Sequence, residues 1–190
     1  MTSSANVKQT RERSGSFLWD KVAVVTGAAR GIGRAAAVAL AREGADIARI
    51  DITAPVDPRS GVKPATPEDL HETAKLVRAT GRRWPGLTLD QRDLSALRHT
   101  AVQIEHEFSG IDILFANAGI QAFRPLLEME DPDWHIKIDV DLTGTANVCE
   151  GTGSLFASRN YLPNGRSLTS SYESRKKHTD AQWRCRYGRA

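Results

Sequence analysis

The sequence predicts an α/β domain built on a parallel, doubly wound sheet. Two observations carry this expectation. Short β-branched runs alternate with amphipathic segments of helical length, and a glycine-rich turn joins the first run directly to the first helical segment. The composition agrees: 190 residues, 40% hydrophobic and 26% charged, suit one globular domain and exclude collagen, a disulfide framework and wholesale disorder.

Each element follows from local chemistry. Residues 1–16 are rich in Ser, Thr, Lys and Arg without any period, and read as a mobile arm. Val22-Ala23-Val24-Val25 is a continuous apolar run bounded by Gly27, as expected of a strand buried on both faces. Ile32–Glu43 has helical composition and stops at Gly44. Ala45–Asp51 is the second strand. The prolines at 55, 58, 64 and 67 exclude helix and make 52–67 a long connection. Thr66, followed by Pro67-Glu68-Asp69, starts a helix that runs to Thr80 and stops at Gly81. Leu87–Leu89, Leu94–Phe108 and Ile111–Phe115 complete the alternation as strand, helix and strand. A fourth helix over Pro132–Glu150 is expected to pack Trp134, Ile138, Leu142 and Cys149 on the sheet, with Ala146 in the remaining turn.

The regular domain is therefore placed at 17–150, and 151–190 as an atypical basic tail. Charge changes with composition there: Met1–Ser158 carries −3, whereas Arg159–Ala190 carries +6 and only two large aliphatic side chains, Leu162 and Leu168. The glycines and Pro163-Asn164-Gly165 after Glu150 break every period.

The chemistry concentrates at strand ends. Thr26-Gly27-Ala28-Ala29-Arg30-Gly31-Ile32-Gly33 lies between the first strand and the first helix, where backbone amides and the helix dipole attract a pyrophosphate. Asp51 closes the second strand, 18 residues beyond Gly33; its carboxylate suits adenosine ribose hydroxyls and repels a 2′-phosphate. NAD is favoured over NADP, with Arg30 the contrary signal. Asp93-Leu94 follows the third strand, and Asp93 equally suits the N-cap of the third helix. Asn117-Ala118-Gly119 follows the fourth.

Together these motifs resemble those of the short-chain dehydrogenase/reductase family, a Rossmann-like fold that moves hydride between a secondary alcohol or ketone and nicotinamide. The resemblance implies that Gly27, Arg30, Gly31, Ile32, Gly33, Asp51, Asp93, Leu94, Asn117, Ala118 and Gly119 hold NAD. The Pro-rich 53–67 insertion, followed by Glu68-Asp69-Leu70 and Gly81-Arg82-Arg83, resembles the mycofactocin-coupled, carveol-dehydrogenase-like branch. That branch implies tightly held NAD and an apolar, often terpenoid, alcohol. The family also implies a homo-oligomer through the fourth helix.

The pattern departs from the family towards its end. Asp141 stands where the family has Asn. Ser171 resembles the family Ser, and Tyr172 with Lys176 forms a Tyr-x-x-x-Lys, but the family separates Ser and Tyr by about a dozen residues to carry the chain from strand to helix. The expectation is a truncated or frame-shifted end with an incomplete sheet, an exposed edge, low solubility and impaired catalysis. A non-catalytic NAD-binding remnant, or a partner of a full-length relative, is the alternative.

Other classes find little support. The five histidines show no metal-ligand spacing, and no G-x-S-x-G elbow is present. The basic tail, with Tyr161, Tyr172, Trp183 and Tyr187, reads as a solvated segment rather than a nucleic-acid surface. Cys149 and Cys185 read as free thiols. No run reaches the ~18 apolar residues of a membrane span, and the start lacks a secretory core, so a cytoplasmic address is expected.

Overall fold

Val22–Thr26 is buried at every position, which identifies it as the middle of a sheet rather than an edge. The computed structural model describes residues 16–159 apart from 58, 61, 109, 122 and 123, with the backbone alone at 154 and 156–159. Residues 1–15 and the tail from 160 onward, including Ser171, Tyr172, Lys176 and Cys185, lie outside the described residues.

Four strands, β1 (Val22–Thr26), β2 (Asp46–Asp51), β3 (Gly86–Thr88) and β4 (Ile113–Phe115), form one sheet in the order β3-β2-β1-β4. All three pairings are parallel, with Val24 opposite Ala48 and Leu114, and Ile50 opposite Leu87. Alternation along the strands divides the core in two. Ala23, Val25 and Ile47 pack with Ala37 and Val38 of α1 (Gly31–Arg42) and Leu70, Ala74 and Val77 of α2 (Pro67–Arg78). Val22, Val24, Ala48 and Ile50 pack with Leu97, Ala101, Ile104 and Phe108 of α3 (Leu94–Phe108). The doubly wound expectation is met, and the third helix has the limits read from the sequence. Among the described residues no helix is long and apolar enough to cross a membrane.

Capping explains the helix starts. The Thr66 hydroxyl accepts from the Asp69 amide at 3.2 Å while the Asp69 carboxylate accepts from the Thr66 amide at 3.0 Å. The amide of Thr66 is the first cause that holds the Asp69 carboxyl below its usual range. Asp93 caps α3, its Oδ1 accepting from the Ala96 amide at 2.9 Å.

The fourth helix corrects the sequence reading. It runs as α4 (Asp131–Lys137), a π-helical segment (Ile138–Gly144) and α5 (Thr145–Arg159). Trp134 and Leu142 are exposed, Cys149 is an exposed free thiol and Ile138 is half-buried, so the expected face does not cover the sheet. The buried stripe is Val140, Gly144, Val148, Gly151, Thr152 and Leu155. Two physical reasons account for the error. The π segment shifts the angular register relative to an α-helix, and glycines occupy core positions because a neighbouring side chain fills their space. A Cβ on Gly144 would lie 2.7 Å from Gln91 Cγ, and one on Gly151 would lie 3.0 Å from Leu97 Cβ. The helix also continues nine residues beyond Glu150, the end expected from the sequence.

A charged cluster ties β2 to the approach to β3. The buried Asp46 carboxylate pairs with Arg82 Nη2 at 2.8 Å and Arg83 Nη2 at 2.6 Å, and accepts from the Arg83 amide at 3.0 Å. Burial pushes the Asp46 carboxyl up, but the Arg83 hydrogen bonds and the two positive charges outweigh it and hold it below the usual range.

Two outcomes are expected. Leu155→Ala should lower unfolding stability by about 2–5 kcal/mol in urea denaturation, because it leaves a cavity beneath α5; a neutral effect would show that the helix does not dock there. The depressed Asp46 carboxyl contributes stability that is present above the unfolded value of about 3.9 and is lost as pH falls through its lower folded value. Thermal melting against pH should therefore steepen below about pH 4, and Asp46→Asn should flatten that acid limb.

Candidate functional site

The strand order places β2 and β4 on opposite sides of β1: the chain runs outward from β1 through β2 to β3 and then crosses back to β4, so the order reverses between β1 and β4. A crevice opens at such a reversal in doubly wound sheets. Here it comprises a cavity of about 310 Å³ that includes Gly27, Ile32, Asp51, Asp90, Gln91 and Asn117, and an adjoining one of about 540 Å³ that includes Pro55, Lys63, Gln121 and Asp141. Arg30, Val56 and Asn117–Ile120 border both.

The glycine turn is held by close backbone approach. A Cβ on Gly33 would lie 2.0 Å from the Gly27 carbonyl oxygen, so the first turn of α1 presses on the end of β1. Gly31, at φ +56°, has open space around its Cβ position. Gly31 thus presents bare backbone to the crevice at the head of α1, between Arg30 and Ile32, and such backbone suits a pyrophosphate. Ile32 is 73% exposed beside it, an apolar surface at the crevice wall.

Asp51 is buried at the end of β2. Its Oδ2 accepts from the Ala29 amide and its Oδ1 from the Thr53 amide, each at 2.9 Å. Each carboxylate oxygen has a further lone pair, so the group remains an acceptor oriented by two fixed donors. Thr53 is held at φ +46° by this contact, an unusual conformation for a β-branched residue.

The turn is clipped from behind by residues the sequence reading missed. Arg34 Nη2 donates to the Ala29 carbonyl at 2.7 Å and to the Asp69 carbonyl at 2.9 Å, and the Thr73 hydroxyl donates to the same Ala29 oxygen at 2.9 Å. Nothing in a local motif marks Arg34 or Thr73 as a pair, because their hydrogen bond, Arg34 Nε to Thr73 Oγ1 at 2.9 Å, joins residues 39 apart in the chain.

Asn117-Ala118-Gly119 joins the crevice through Thr26. The Thr26 hydroxyl accepts from the amides of Asn117 and Ala118, both at 2.9 Å, and Asn117 Nδ2 donates to the Thr26 carbonyl at 3.0 Å. Buried Gln91 donates from Nε2 to the carbonyls of Ala118 at 3.1 Å and Val140 at 2.8 Å, linking this loop to the π segment. Asp141 Oδ1 accepts from the Ile120 amide at 2.8 Å, so the carboxylate fixes the next turn of the same loop.

Most of the expected residues meet here: Gly27, Arg30, Gly31, Ile32, Asp51 and Asn117–Gly119 border the crevice, with Gly33 directly behind. Asp93 and Leu94 are not among its lining residues. Asp93 is exposed at the N-cap of α3, whereas Asp90 lies in the crevice wall. Burial pushes the Asp90 carboxyl up, but hydrogen bonds and charge from Arg92 hold it below its usual range. Among the described residues no cluster of His, Cys, Asp and Glu suits a metal ion.

Comparison with known proteins agrees with this geometry. Residues 21–160 match the short chain dehydrogenase family. An uncharacterised NAD-dependent oxidoreductase of Mycobacterium tuberculosis is 45% identical over 138 residues, 73% of this chain and 50% of that protein. The (-)-trans-carveol dehydrogenase of Rhodococcus erythropolis is 40% identical over 126 residues, 65% of this chain and 45% of its own length. Among solved structures, carveol dehydrogenase from Mycobacterium avium in complex with NAD superposes with a TM-score of 0.70 at 39% identity, covering 74% of this chain and 51% of that one. The chain thus spans about half the length of the curated relatives it matches.

The glycine turn yields a discriminating substitution. In an ordinary helix Gly→Ala adds up to about 1 kcal/mol of stability. Gly33→Ala should instead destabilise by about 1–3 kcal/mol in thermal or urea unfolding, because its methyl group meets the Gly27 backbone.

Proposed function

The chain belongs to the short chain dehydrogenase family, and from that premise we propose that its crevice holds NAD for hydride exchange with a secondary alcohol or ketone. The observation that carries this reading is Asp51: a buried carboxylate, aimed by the Ala29 and Thr53 amides, at the crevice wall beside the glycine turn. In that position it accepts from both hydroxyls of an adenosine ribose and repels a 2′-phosphate, which favours NAD over NADP despite the nearby Arg30. The open backbone from Gly27 to Gly33 takes the pyrophosphate. Asp90, rather than Asp93, stands at the end of β3 for the adenine side, and Asn117–Gly119 lines the approach to the nicotinamide. Bound there, NAD supplies the carbon that accepts or returns the hydride.

The carveol dehydrogenases among the relatives support a finer proposal, an apolar secondary alcohol as substrate; the branch resemblance of the 53–67 insertion adds tightly held NAD. Ser171 on one side, and Tyr172 with Lys176 on the other, are mutually exclusive candidates for proton handling. The adjacency of Ser171 and Tyr172, together with Asp141 spending its carboxylate on the Ile120 amide, supports slow turnover.

A second reading rests on the exposed Trp134 and Leu142. An apolar face on the α4–π segment suits a second copy or a full-length relative, so the chain would act as an NAD-holding partner.

Calorimetry of the full chain with NAD and NADP tests the first reading, with oxidation of an apolar secondary alcohol followed on the same sample using an artificial electron acceptor. NAD should bind at least about tenfold more tightly than NADP, and Asp51→Asn should erase most of that difference. Equal affinity for the two dinucleotides would overturn the role of Asp51. NAD binding without turnover would favour the second reading.

A further inference from the structure

A separate cavity of about 440 Å³ lies between α2 and the β2–β3 edge, and its wall is divided by chemistry. Arg49, Arg78, His71 and Thr53 supply one part, and Leu70 and the buried Trp84 another. It shares none of these residues with the two cavities of the crevice.

Arg49 is the unusual member. It lies within β2, two residues before Asp51 and on the same face of the sheet. Its Nε and Nη1 are buried and have no hydrogen-bond partner among the described residues. A guanidinium cannot shed its charge to escape this situation. Burial disfavours the charge most, the negative charge of Asp51 partly offsets this, and the positive charge of Arg78 adds to it. Asp51 itself is turned to the Ala29 and Thr53 amides. A buried cation with unmet donors is costly, and negative charge entering the cavity that Arg49 lines would offset that cost.

We propose that this cavity binds a phosphate monoester, its phosphate between Arg49 and Arg78 and its organic group along Leu70 and Trp84. Two guanidinium groups match the charge and the several oxygens of a phosphate dianion. The apolar wall distinguishes an ester from free phosphate. This site is independent of the proposed dehydrogenase function.

The test uses the full chain, with inorganic phosphate and phenyl phosphate as probes and chloride at equal ionic strength as the control. Thermal melting reports binding, and tryptophan fluorescence reports contact with Trp84 when compared with Trp84→Phe. Phenyl phosphate should raise Tm by several degrees at about 100 times its dissociation constant and should bind more tightly than phosphate. Arg49→Met should weaken it about tenfold or more while leaving NAD affinity unchanged. Arg78→Met, on the exposed side of α2, gives the same readout without touching the strand. An unchanged Tm in the wild type would overturn the proposal. So would a phosphate response that survives both substitutions or disappears when NAD is added, since the anion would then sit at the glycine turn.

Discussion

The contact between the first turn of α1 and the end of β1 constrains everything around it. With no side chain at Gly33, the helix backbone lies against the Gly27 carbonyl, and Asn117 Nδ2 occupies the same narrow space, 2.8 Å from where a Cβ would be. Helix, central strand and the loop after β4 therefore meet at one point. Thr26 closes that point from below with its hydroxyl and carbonyl. The crevice lies where these three elements are held together at their ends, at the reversal of strand order between β1 and β4.

Two kinds of support surround the junction, and they differ in range. Arg34 and Thr73 join the turn to α2 by converging on one carbonyl, that of Ala29, whose amide also binds Asp51. The peptide units on either side of Ala29 are thereby fixed through both its amide and its carbonyl, so the Asp51 carboxylate and the glycine-turn backbone keep one geometry. On the other side of the sheet, Gln91 does the equivalent work for Ala118 and Val140. Its side chain needs the space that Gly144 leaves, and the π segment presents the Val140 carbonyl to it. A helical irregularity, a missing side chain and a buried amide are thus one arrangement.

The connection after β2 is also tied across the crevice. Arg59 pairs with Glu130 at 2.7 Å and with the buried Asp133 at 2.9 Å, while Arg124 reaches the same Asp133 oxygen at 3.1 Å. The Glu130 amide and the two arginines hold the Asp133 carboxyl below its usual range. This ion-pair group gives the Pro-rich segment a definite course past the cavity wall, which composition alone marked only as non-helical.

Local chemistry in the sequence determined the strand–helix alternation, the start of α2, the limits of α3 and the glycine turn. Each depends on interactions within a few residues: β-branched runs, a capping box, an Asx cap and the missing side chains of glycine. Asp51 and Asn117–Gly119 were legible as well, because strand ends in a parallel sheet converge on one edge. For Asp93 the sequence offered two local roles, of which the N-cap of α3 is the one seen, and only the tertiary structure places Asp90 in the crevice wall. The face of the fourth helix depended entirely on tertiary structure: its core stripe is built from glycine, threonine and valine, and becomes a stripe only when Gln91 and Leu97 fill the space that glycine leaves. Arg34, Thr73 and Arg49 were silent for the same reason, since a long-range hydrogen bond, or its absence, has no signature in neighbouring residues.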